Sequence, residues 1–81
     1  MVEIRFDKKF TIIFSKLDNF LKQKIIKQIK KISENPEAGK PMRHDRKGTR
    51  ELYIKPFRLS YEYLKDKNTI YILDLYHKKM Q

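Results

Sequence analysis

Arg58 stands in mid-strand within Phe57-Arg58-Leu59-Ser60-Tyr61, a run of aromatic and aliphatic residues. A guanidinium is costly to hold in such a run unless it faces water, a carboxylate or a phosphate. Planar, forked and always charged, it suits an oxyanion or a five-coordinate phosphorane better than a lysine does. Tyr53, Lys55, Tyr76 and Lys78 flank it in the C-terminal part of the chain. The lysines add charge, and the tyrosines offer hydroxyls and rings on which a base can stack. Two readings of Arg58 are open on these grounds. It either meets a phosphate or forms a structural ion pair with Glu62 or Asp74.

Whether these side chains meet depends on the strands that carry them. Glu51 to Lys55 alternates with period two and reaches Pro56, which cannot donate to a ladder and marks a turn. Phe57 to Leu64 forms the next strand, Lys65 to Asn68 a polar hairpin loop, and Ile70 to Tyr76 the last strand. Side chains on a strand alternate between faces. Leu52, Ile54, Phe57, Leu59, Tyr61, Tyr71, Leu73 and Leu75 are therefore expected to pack inward. Glu51, Tyr53, Lys55, Arg58, Ser60, Glu62, Ile72, Asp74, Tyr76 and Lys78 are expected on the open face. The same alternation directs His77 to the inner side.

The first half of the chain supplies what covers the inner face. Val2, Ile4 and Phe6 alternate with charges as a short strand. Phe10, Ile13, Phe14 and Leu17 then fall on one helical stripe, with Asp7 placed to cap its start. Asp18 and Asn19 interrupt the pattern, and Leu21, Ile25, Ile29 and Ile32 resume it, with lysines around the rest of the circumference. Asn35-Pro36 ends this second helix. Glu37 to Gly48 reads as a basic loop, long enough to suggest function. Arg43, Arg46 and Lys47 in it, with Arg50 beyond it, are candidate RNA contacts. The predicted fold is α+β, a single domain over 1–81: an N-terminal strand, an antiparallel helical pair, and a three-stranded antiparallel meander with the helices on one face.

The composition agrees with an anionic partner. Twenty Lys and Arg stand against ten Asp and Glu, a formal charge of +10 over 81 residues. Such an excess draws nucleic acid to a small domain. A chain this short buries only about 60% of its unfolded surface, so a partner that binds the folded form would help it. There is no cysteine and hence no disulfide or thiolate metal site. His44 and His77 are far apart, so neither a metal nor another cofactor is expected. No apolar run approaches the roughly 18 residues of a membrane span, and the N-terminus has no signal-peptide core, so a cytoplasmic location is expected.

The order of strand, helical pair, basic loop and three strands ending in a basic cluster resembles the RelE/ParE toxin superfamily. The sharpest points are Phe57-Arg58-Leu59-Ser60-Tyr61, similar to the family's aromatic-Arg-aliphatic-x-Tyr strand, and Leu75-Tyr76-His77-Lys78-Lys79, similar to its closing element. The resemblance implies the toxin of a type II toxin-antitoxin system, a metal-independent, ribosome-dependent mRNA endonuclease. It implies an acidic RelB-like antitoxin in a hetero-oligomer. By the same resemblance Arg58 stabilises transition-state charge, and Lys78, or Lys79 if the register slips by one, takes the place of the terminal catalytic arginine. Glu51 and Tyr53 occupy positions where one branch of the family carries two lysines, and Lys55 is a substitute. His77 stands in for a catalytic C-terminal tyrosine, since imidazole exchanges protons near neutral pH. Two alternatives fit the same residues: a ParE-like gyrase inhibitor and a non-catalytic basic RNA-binding module.

Overall fold

In the computed structural model, which describes residues 2–42 and 48–77, two helices cover one face of a five-stranded sheet. The elements run β1 (Glu3–Phe6), α1 (Lys8–Ser15), α2 (Asn19–Glu34), β2 (Lys40–Pro41), β3 (Thr49–Ile54), β4 (Phe57–Leu64) and β5 (Thr69–His77). Spatial order is β1-β5-β4-β3-β2, with β1 parallel to β5 and the other pairs antiparallel. Asp7 caps α1 as expected, its carboxylate accepting from Lys9 N at 2.8 Å. Asp18 does the same for α2 through Leu21 N at 2.8 Å. A 3-10 turn at Lys65–Lys67 and the left-handed Asn68 close the β4–β5 hairpin.

The core draws on both layers. Phe10, Ile25, Ile29 and Ile32 of the helices meet Ile54, Leu59, Tyr61, Ile70, Ile72 and Leu75 of the sheet. Leu52 and Phe57 pack at its margin. Phe6 departs from the expected buried face of β1: it remains 47% exposed and stacks on Phe10, which stacks on Phe14, at centroid distances of 5.6 and 5.5 Å.

The last strand departs further. Strict alternation puts Tyr71, Leu73 and Leu75 in the core, but Ile70, Ile72 and Leu75 are the buried residues. The cause is a β-bulge. Ser60 pairs with Asp74 and Tyr61 with Ile72, so Leu73 is an extra residue with no partner across the ladder. The parity reverses there. Ile72 turns inward, while Asp74 and Tyr76 keep the open face.

The expected loop after α2 also contains structure, because Lys40–Pro41 pair with Arg50–Glu51 as edge strand β2. Its approach is clamped from the inner side of the sheet. Tyr61 Oη donates to Pro36 O and accepts from Gly39 N, both at 2.8 Å. Arg50 Nη1 donates to Gly39 O at 2.8 Å and Glu37 O at 3.1 Å. Gly39 is required at this crossing, since a Cβ there would lie 2.6 Å from Tyr61 Oη. Burial pushes the Tyr61 hydroxyl above the usual tyrosine pKa, against smaller opposing effects of the Gly39 amide and Arg50.

Candidate active site

Register turns the open face into rows. Tyr53, Arg58 and Tyr76 are cross-strand neighbours on β3, β4 and β5. The adjacent row is Glu51, Ser60 and Asp74. The first row sets a guanidinium between two phenols, and the second sets a hydroxyl between two carboxylates. Arg58 Cζ lies 6.0 Å from the Tyr53 ring centroid, within cation-π range.

Arg58 reaches from the first row into the second. Its Nη1 donates to Glu51 Oε1 at 3.2 Å, and the Glu51 side chain is only 4% exposed. The ion pair is diagonal, to the neighbouring strand, and replaces the sequence-based alternatives of Glu62 and Asp74. Asp74 pairs with Lys9 of α1 instead, at 3.2 Å. Arg58 Nε is buried and has no hydrogen-bond partner among the described residues. An unmet buried donor costs about 1–3 kcal/mol, and a catalytic or ligand-binding role is one explanation for such a group. The arrangement sets a guanidinium, engaged by Glu51 through Nη1, beside a carboxylate able to take a proton.

Residues 4–81 match the family model described as the ParE toxin of the type II toxin-antitoxin system, parDE. The chain belongs to this family, within the RelE/ParE superfamily. Solved structures repeat the toxin's fold. The toxin-antitoxin complex RelBE2 from Mycobacterium tuberculosis matches with a TM-score of 0.85 and 24% identity, over 95% of this chain and 98% of that one. The isolated E. coli RelE toxin matches at 0.81 and 17%, over 95% and 84%. The YoeB/ParE toxin from Agrobacterium tumefaciens matches at 0.83 and 15%, over 94% and 98%. No curated protein matches the sequence significantly.

The fold brings some of the toxin's expected site residues together and separates others. Arg58, Tyr53 and Tyr76 share a row. Lys55 lies in the β3–β4 turn, exposed, its carbonyl accepting from Lys24 Nζ at 2.9 Å. Arg50 sits on the inner side, opposite Tyr61, and its guanidinium holds the 37–39 backbone rather than joining the open face. The alternation that buries Ile54 already carried that signal. His77 likewise faces inward, its ring edge-on to Phe57 at 5.9 Å, away from the face of Arg58. Lys78, Lys79, Arg43, Arg46 and Lys47 lie outside the described residues. Sequence reasoning put Glu51 on the right face but gave it no role. Its near-complete burial beside the arginine marks it, and no local pattern reveals that contact.

Among the described residues no helix is long and apolar enough to cross a membrane, and no group of three or more His, Cys, Asp or Glu side chains gathers as a metal site.

Proposed function

We propose that this toxin is a metal-independent endoribonuclease that cuts mRNA on the ribosome. The observation that supports the reading is Arg58, a mid-sheet guanidinium set between two tyrosines with a buried Nε that has no partner among the described residues. In this scheme the ribose 2′-OH attacks the adjacent phosphorus. Glu51 accepts the 2′-OH proton, taking the base role that the lysines hold in one branch of the family. Arg58 donates to the non-bridging oxygens, where negative charge grows. The bond to the 5′-oxygen breaks, and that oxygen takes its proton from Lys78 or from water. The products are a 2′,3′-cyclic phosphate and a 5′-hydroxyl.

The antitoxin would be acidic, and we place it on the helical hairpin. Phe20 is 76% exposed there, and Ile26 is half-exposed beside it. Ile26 also borders an apolar groove of about 310 Å³ formed with Phe6, Phe10, Phe14 and Ile29. Lys24 and Lys27 stand beside Phe20 and Ile26. An amphipathic segment with acidic flanks complements both the apolar strip and its rim.

A second reading is inhibition of DNA gyrase, the activity that the resemblance to ParE-type toxins implies; the matching family model is that of a ParE toxin. Mapping RNA 5′ ends after induction separates the two. New 5′-hydroxyl ends within translated codons, lost in Arg58→Ala, are expected. DNA damage without new RNA ends would instead establish the gyrase reading.

A further inference from the structure

Lys40 is a basic residue to which neither the sequence pattern nor the cleavage scheme gives a role, and edge strand β2 places it on the open face. Two independent observations fix its side. In the β2–β3 ladder it lies directly opposite Glu51, and residues opposite each other in a ladder share a face. Its neighbour Gly39 turns the other way, since a Cβ there would lie 2.6 Å from Tyr61 Oη on the inner side. The row of Glu51, Ser60 and Asp74 therefore begins at Lys40. Glu51 and Tyr53 hold the outward positions of β3, so β2 is the strand that brings an amine to this part of the face.

The backbone on both sides of Lys40 is tied down. Tyr61 Oη bonds Gly39 N and Pro36 O, and Arg50 Nη1 bonds Gly39 O and Glu37 O. Beyond it, Met42 N donates to Thr49 O at 2.9 Å. What these bonds hold out is an exposed ammonium, a compact donor suited to a phosphate oxygen. Lys40 and Arg58 stand two strands and two residues apart, about 12 Å between Cα atoms at standard sheet spacings. Arg58 already leans toward β3, where its Nη1 meets Glu51. Two long side chains leaning together across that gap can bring their charged heads within one nucleotide step of each other. Glu51 lies between them, so RNA held at both points passes over the carboxylate. A lysine on an edge strand also keeps other strands from pairing with it. That role needs no clamp beneath the residue.

We propose that Lys40 binds the phosphate adjoining the cut one, as a second anchor for the RNA backbone beside Arg58. The proposal rests on the ribonuclease reading above. It is tested with ribosomes programmed by mRNAs that carry one neutral methylphosphonate, placed in turn at the two linkages next to the cut. At one of them the wild type should lose about tenfold in kcat/KM, the loss lying in KM. Lys40→Ala should lose about as much on ordinary mRNA and nothing further at that linkage. Lys40→Arg, which keeps the charge, should restore most of the wild-type value. A Lys40→Ala toxin that cuts like the wild type, or whose loss adds in full to that of either methylphosphonate, overturns the proposal. A second readout stands apart from cleavage: NMR titration of the folded toxin with 2′-deoxy dinucleotides, which cannot be cut, with and without a 5′ or 3′ terminal phosphate. One added phosphate should tighten wild-type binding by about tenfold and shift the amides of Gly39 and Lys40, and in Lys40→Ala it should add little. No gain in the wild type overturns the anchor even if RNA cutting is established. A Lys40→Ala toxin that self-associates while keeping the gain overturns it too, and leaves Lys40 as an edge guard. A wild type that cuts no RNA yet shows the Lys40-dependent gain keeps the anchor and removes only the ribonuclease chemistry.

Discussion

The outer surface of α2 and the open face of the sheet divide the toxin's charge in opposite ways. The helix carries Lys22, Lys24, Lys27, Lys30 and Lys31, mostly in solvent, with Phe20 and Ile26 exposed among them. The described sheet face carries Arg58 alongside Glu51, Glu62 and Asp74. A net charge of +10 therefore does not locate the chemistry. Lysines on flexible stems remain hydrated on a helix and attract an anionic partner over a distance. An arginine on a sheet is held by its neighbours, and here a buried carboxylate fixes one edge of its fork.

The strongest way to break this contrast is to damage one face at a time. Arg58→Ala should lower growth inhibition by orders of magnitude while antitoxin affinity stays within about twofold. The double change Phe20→Asp with Ile26→Asp should do the reverse, weakening antitoxin binding by about tenfold or more and leaving free toxin active. Plating efficiency and calorimetric titration read the two effects. If either variant loses both properties, the faces are not independent.

A smaller effect sharpens what holds the two sides in register. Gly39→Ala places a methyl group against Tyr61 and should destabilise the fold by about 1–3 kcal/mol in urea unfolding. Tyr61→Phe leaves Gly39 N–H and Pro36 C=O without their partner and should cost about as much. Tyr61 also has a pH signature. Its folded pKa is raised, so the folded state resists deprotonation more than the unfolded chain does. Its contribution is fully present below the ordinary tyrosine value of about 10 and is lost as pH rises through the raised value. The decline in wild-type stability above about pH 10 should flatten in Tyr61→Phe. The smallest expected effect concerns the hairpin alone: Asp18→Ala removes the α2 cap and should cost about 1 kcal/mol, read as a lower thermal midpoint with activity intact.

Much of this architecture was legible in the chain because it depends on local rules. The change from period two to helical spacing after Phe6, the cap at Asp7, the stop at Asn35-Pro36 and the turn at Pro56 all depend on residues near in sequence. So does the assignment of Arg58, Tyr53 and Tyr76 to one face, which needs only alternation and an antiparallel register. The bulge at Leu73 was not legible, since β5 reads as an unbroken strand and the extra residue appears only when it is paired with β4. Arg50 and His77 were drawn toward the site by their chemistry, although alternation pointed both of them inward.

By itself, then, the sequence determined the period of each element, the inward set of β3 and β4, and the placement of an arginine on the open side. Tertiary structure alone decided that Glu51 is buried against Arg58, that Lys9 meets Asp74, and that a cleft lies beside them. The physical reason is the range of each interaction. Steric alternation and capping act over a few residues, whereas a carboxylate's partner is chosen by which strand and which helix end arrive next to it. One unpaired residue in β5 was enough to reverse which side chains of that strand enter the core.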